Sequence, residues 1–116
     1  MKKTTFFAAA IFAIVAYPSA AFLSDFSGTW YVDNDPQECV VINQQGESVK
    51  AEFFHGGTKT ADLIGYQKGA SIALGFQNSK GEIGAWMAVS NTIGRMDATC
   101  LNPDGSLRWK ATYIKK

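Results

Sequence analysis

The chain has 116 residues, a formal charge of +1 and no long run of either sign. That length suits one domain of ordinary size, and the balance leaves no electrostatic footprint for nucleic acid or an anionic lipid surface. One histidine and two cysteines, with no Cys-x-x-Cys pair, are too few for the usual zinc cage.

Lys2 and Lys3 precede an almost wholly apolar run over residues 6–17. Ser19-Ala20-Ala21 then sets small residues where a signal peptidase cuts. Residues 1–21 are expected to be a secretory signal peptide, with a retained anchor as the alternative. The run is shorter than the roughly 20 residues a membrane span needs. No cysteine stands at the cut, so a lipid attachment point is missing. The expected mature chain is a single domain over residues 22–116, secreted or periplasmic and off the membrane. It loses two of eleven basic residues, and nine against ten acidic ones leaves about −1.

Alternating runs then follow, separated by turn residues. Residues 26–32 read as the first strand, with Trp30 and Val32 on one face. Asp33-Asn34-Asp35-Pro36 breaks it. The second covers residues 39–43 and turns at Gly46. Val49, Ala51 and Phe53 form the inner set of the third, which ends at His55-Gly56-Gly57. Residues 60–67 form the fourth, with Ala61 and Leu63 inward, and Lys68-Gly69 turns into Ile72, Leu74 and Phe76. After Asn78-Ser79-Lys80-Gly81, the sixth strand carries Ile83, Ala85, Met87 and Val89 as one set, which leaves Trp86 facing outward. Met96, Ala98 and Cys100 share a face of the seventh. Asn102-Pro103-Asp104-Gly105 has a type I turn composition. It launches the eighth strand, residues 107–114, with Leu107, Trp109, Ala111 and Tyr113 alternating with polar residues.

Eight such strands without a helical pattern define an all-β protein. An up-and-down eight-stranded antiparallel barrel removes both edges of the sheet; a flattened sandwich is the alternative. In such a meander Cys39 and Cys100 fall at the same end. A disulfide between them is expected in an oxidising compartment. It would close a 62-residue loop (100 − 39 + 1), worth about 4 kcal/mol. The same parity gathers the longer loops, around Asp33, His55, Asn78 and Asn102, at one end of the barrel. That end is the expected binding end.

Three tetrapeptides carry a resemblance. Gly28-Thr29-Trp30-Tyr31 looks like the opening of avidin and streptavidin, and its Gly-x-Trp core is shared with lipocalins. Ala73-Leu74-Gly75-Phe76 resembles the avidin fifth strand, and Trp109-Lys110-Ala111-Thr112 the start of its eighth. The resemblance implies a calycin-type barrel that binds a small hydrophobic or heterocyclic molecule in its open end. The chain departs from avidins at Val32, where they place an asparagine, and at Phe53 or Phe54, which lack the hydroxyl of their ligand-binding tyrosine. The lipocalin pattern also sets a basic residue of the last strand over the tryptophan; antiparallel pairing is expected to bring Lys110 or Thr112 near Trp30, with Arg108 farther away. A second similarity, to small periplasmic barrels that inhibit proteases, rests on Leu23-Ser24-x-x-Ser27-Gly28-x-Trp30. It implies an N-terminal segment, Phe22 to Phe26, that enters a protease cleft.

The remaining chemistry is sparse. His55 could pair with Asp33, Asp35 or Asp104 at the looped end, but no nucleophile motif accompanies it. Asp33, Asn34, Asp35 and Glu38 could offer oxygens to calcium, yet the spacing is not that of a calcium loop. The expected function is therefore non-enzymatic binding, without cofactor or metal, of a small molecule or a protein partner. Trp30, Phe53, Phe76 and Trp109 would form apolar walls, with Asn34, His55 and Asn78 at the rim. A protein-interaction module and assembly into a homo-oligomer are the other outcomes considered.

Overall fold

Short alternating runs joined by glycine turns can bury one face only by closing on themselves, and they do. The computed structural model describes residues 25–116; the expected signal peptide lies outside them. Eight strands follow in chain order: β1 Gly28–Val32, β2 Asp35–Gln45, β3 Ser48–His55, β4 Thr58–Lys68, β5 Ser71–Asn78, β6 Ile83–Thr92, β7 Arg95–Leu101 and β8 Leu107–Lys115. Each pairs antiparallel with the next, and β8 pairs back onto β1 through Trp30↔Lys115, Tyr31↔Ile114 and Val32↔Tyr113. The result is a closed barrel rather than a sandwich.

The inward set runs along every strand: Trp30, Val40, Ile42, Val49, Ala51, Leu63, Ile72, Leu74, Phe76, Trp86, Met96, Ala98 and Tyr113 are all buried. One half of the bore is filled. Phe26 tucks under β1, with its N–H donating to Gln44 Oε1 at 2.9 Å and its carbonyl accepting Trp30 Nε1–H at 2.8 Å. Gln67, also buried, receives a bond from the Gln44 amide at 3.3 Å and donates to the Gly69 carbonyl at 2.7 Å. Phe26 is thus a plug of the core, not part of a free N-terminal segment.

The Gly-x-Trp opening has a steric reason. Gly28 takes φ +129°, and a Cβ there would sit 2.8 Å from Lys115 Cε. That lysine lies over the Trp30 ring, its Nζ 5.7 Å from the centroid. The basic residue of the last strand over the tryptophan is therefore Lys115 and not Lys110, because β8 pairs with β1 only through its last residues.

Three expectations need correction. Pro36 lies inside β2, since the turn is only Asp33-Asn34, and Asn34 takes φ +72° to make it. The proline is tolerated because the β1–β2 ladder is irregular there, jumping from Val32↔Asp35 to Tyr31↔Cys39. On β6 the inward set is Gly84, Trp86, Ala88 and Ser90; Trp86 has no exposure, while Ile83 and Met87 face solvent. Cys39 and Cys100 are both free thiols. Cys39 pairs with Tyr31 and Tyr31 with Ile114, whereas Cys100 pairs with Trp109, five residues (114 − 109) along β8. The two wall positions are also three strands apart, and a bridge needs Cα atoms within about 7 Å.

Candidate functional site

The upper half of the bore is not filled. A cavity of about 290 Å³ opens at the looped end, bordered by residues of six strands: Glu38 and Cys39, Phe53, Thr60 and Ala61, Phe76 and Asn78, Cys100, then Arg108, Trp109 and Tyr113, with Ser79 and Lys80 from the β5–β6 turn. Its apolar wall is an aromatic cluster. Phe53 stands edge-on to Trp86, centroids 5.6 Å apart at 81°, and 6.0 Å from Trp109. Trp86 stands edge-on to Tyr113 in turn, at 5.7 Å and 84°. Such edge-to-face pairs lock ring planes, so the wall is rigid.

Ladder irregularities aim the polar side chains. On β4 one extra residue, Thr60, separates Phe53↔Ala61 from Phe54↔Lys59. On β8 one extra residue, Arg108, separates Cys100↔Trp109 from Leu101↔Leu107. A bulge of this kind breaks the in–out alternation and redirects a side chain. Both bulged residues border the cavity, and Leu107, expected inside, is left outside and exposed.

Arg108 is held in place from two sides. Its guanidinium lies 5.8 Å above the Phe76 ring, and Nη2 donates to Glu82 Oε1 at 3.1 Å. Hydrogen bonds from Asn78 and from Arg108 hold the Glu82 carboxyl below its ordinary range. Phe76 itself fits because residue 84 is glycine: a Cβ there would meet Phe76 Cε2 at 2.5 Å. On the floor, burial pushes the Tyr113 hydroxyl well above its usual range, and the Trp86 N–H leans toward it and opposes that rise. The approach falls short of a hydrogen bond. Among the described residues, Trp86 Nε1 is a fully buried donor without a partner. Both thiols are pushed up by burial, Cys39 also by Glu38, while Arg108 partly offsets the rise at Cys100.

Four of the seven candidate binding residues, Phe53, Phe76, Asn78 and Trp109, border this cavity. The other three do not. Trp30 is packed in the filled half, and Asn34 is an exposed turn residue. His55 is exposed and pairs through Nδ1 with Glu38, not with Asp33, Asp35 or Asp104. Asn78 shapes the rim instead of offering a bond. Its Nδ2 donates to Glu82 Oε1 at 2.6 Å, and its Oδ1 accepts the N–H groups of Lys80 and Glu82 at 3.0 and 2.9 Å. Among the described residues no three His, Cys, Asp or Glu gather into a metal site, so Asp33, Asp35 and Glu38 do not form one. Sequence reasoning missed Trp86, Arg108 and Tyr113 as site residues. Only Tyr113 left a signal, in its alternation with Trp109.

A larger depression, about 830 Å³, lies on the outer wall across β2–β6 and includes Val41, Lys50, Glu52, Asp62, Ile64 and Ile83. It mixes charged side chains with aliphatic ones and leaves a guest open to water on one side. The interior cavity is the better ligand site because rigid aromatics surround it. In comparisons with known proteins, the chain matches no family model, no curated protein and no solved structure. The functional reading rests on the site itself.

Proposed function

We propose that the protein is a secreted or periplasmic, non-enzymatic binding protein that holds a small, largely apolar molecule in the looped end of its barrel. The observation that carries this reading is the half-filled bore. The same eight strands pack one half solid and leave a 290 Å³ hollow, walled by aromatics, in the other. Aromatic wall left facing a solvent-filled hollow is apolar surface that a guest would bury with a gain in stability. A catalytic role has less support. The thiols are held protonated by their surroundings, which makes poor nucleophiles, and the His55–Glu38 pair has no nucleophile within it.

The test uses the bicyclic dye 7-hydroxycoumarin. Wild-type protein is expected to bind it one to one with a rise in fluorescence anisotropy. Ala61→Phe, which fills the cavity, should melt at the same temperature or higher and bind no dye. Equal binding by both proteins, or none by wild type, discards the reading.

A second reading, a protein-interaction module, draws on one observation. The outer faces of β4 and β6 expose Ile64, Tyr66, Ile83 and Met87, with Ala73 and Gly75 of β5 between them in register. An apolar strip of this kind marks an association surface. Tyr66→Lys should lower the mass seen by light scattering if copies associate through it; an unchanged monomer argues against self-association there.

A further inference from the structure

We propose that the upper edge of β8 takes on an extended segment of a partner protein as an added strand. An aromatic side chain of that segment enters the cavity, and an acidic one lies against Lys110. The proposal goes beyond both readings above and rests on the first only in needing the hollow unfilled.

The barrel wall is incomplete at the looped end. β8 runs from Leu107 to Lys115, but β1 pairs only with Tyr113, Ile114 and Lys115 of it. Above them the Asp33 N–H donates to the Thr112 carbonyl at 2.8 Å, and the chain turns away into β2. Residues 107–111 pair with β7 on one side, and among the described residues no strand lies on the other. In an antiparallel ladder the N–H and C=O of one residue face the same neighbour, and those of the next residue face the other. Thr112 faces β1, as does Lys116, whose N–H donates to the Thr29 carbonyl at 3.1 Å. Lys110 has the same phase, so both its backbone groups face the gap. An unpaired edge of this kind is a template for another strand.

The gap opens beside the cavity, which Trp109 borders on β8 and Glu38 and Cys39 border on β2. Side chains alternate along a strand. A strand laid antiparallel on β8 would turn the residue opposite Lys110 outward and the next one, opposite Trp109, inward. A cavity of about 150 Å³ holds a benzene ring, so 290 Å³ admits one aromatic side chain. Aromatic cross-strand pairs are favourable. Main-chain bonds for affinity and a pocket for one side chain are the pattern of strand addition. Charge selects the outward residue. Lys110 is exposed, and the ion pairs of the described residues use His55, Lys59, Arg95 and Arg108 but not Lys110. A carboxylate opposite it is favoured. The same lysine argues against a second copy, since two β8 edges centred on Lys110 would set like charges opposite each other.

The probe is the peptide acetyl-Thr-Val-Glu-Phe-Thr-amide. In hydrogen exchange the Lys110 amide should exchange freely in the protein alone and become protected when peptide is added. Isothermal titration should show one-to-one binding. N-methylation of the peptide's glutamate removes the N–H aimed at the Lys110 carbonyl and should weaken binding about tenfold. Alanine in place of the peptide's phenylalanine should weaken it at least as much. Lys110→Glu should reverse the charge preference and favour the peptide with lysine in place of glutamate. If the peptide does not bind while 7-hydroxycoumarin does, strand addition is discarded and the cavity reading stands; if neither binds, both are discarded. Binding that N-methylation and Lys110→Glu leave unchanged, or that leaves the Lys110 amide unprotected, overturns the proposal. So does a Lys110 amide protected without peptide and released on dilution, which would put a second copy on the edge.

Discussion

At the tight-turn end of the barrel, Phe26 folds under β1 and closes the bore together with Gln44, Gln67 and the buried hydroxyl of Ser90. At the looped end no residue plays that part, and Phe53, Trp109 and Tyr113 face a hollow instead. The strands are the same at both ends. What differs is the finish. The closed end keeps its polar groups satisfied within the protein: Gln67 donates to Gly69, and the Ser90 hydroxyl lies 2.8 Å from the Arg95 carbonyl oxygen. The open end keeps Trp86 Nε1 unsatisfied and redirects Arg108 and Thr60 inward by bulges. Stability is invested at one pole and a vacancy is kept at the other. This division is common where a rigid scaffold carries a site at its loops.

The largest effect should come from breaking the plug. Phe26→Ala removes a ring that is 1% exposed and leaves a void against Trp30, 6.3 Å away centroid to centroid. Urea unfolding should show a loss of about 3–5 kcal/mol. Phe53→Ala, at the open end, removes a half-buried ring and should cost about 1–2 kcal/mol. Similar losses at the two sites would mean that the open end is packed as tightly as the closed one, and the contrast would be wrong.

A smaller effect should sharpen the same contrast. Gly84→Ala places a Cβ 2.5 Å from Phe76 Cε2 and close to the Leu101 carbonyl. Over-packing of this kind costs about 1–3 kcal/mol. Phe76 borders the cavity, so a ring pushed by the new methyl can shift into it. The variant is therefore expected to lose dye binding out of proportion to its loss of stability. Unchanged dye binding would show that Phe76 does not set the size of the hollow.

The strand count and closure were legible because most strands alternate cleanly. On β5, buried Ile72, Leu74 and Phe76 alternate with exposed neighbours, and one phase alone fits. On β6 the rule lost its footing. Its outer set, Ile83, Ala85, Met87 and Val89, is more apolar than its inner set, Gly84, Trp86, Ala88 and Ser90, so period two was visible but its phase was not. That inversion hid Trp86, the buried ring against which Phe53 and Tyr113 stand edge-on. Arg108 was hidden for another reason. One extra residue on a strand flips the faces beyond it, and nothing in Leu107-Arg108-Trp109 marks where the ladder slips. At the looped end the two bulges depart from alternation at positions that face the hollow.

The smallest expected effect concerns the thiols, both of which border the open end. A bridge closing 62 residues would contribute about 4 kcal/mol and would make that end the stapled one. The structure shows no such bond: both cysteines are free thiols, on strands three apart in the barrel wall. The melting temperature is therefore expected to be the same with and without reductant, and denatured protein should titrate as two free thiols. The open end is then held by strand pairing alone, which is the arrangement a site that must admit a guest requires. A melting temperature that falls on reduction, with no thiol titrating beforehand, would put a covalent lock across the hollow. The register of β2, the placement of the cavity and the contrast between the two poles would then all have to be redrawn.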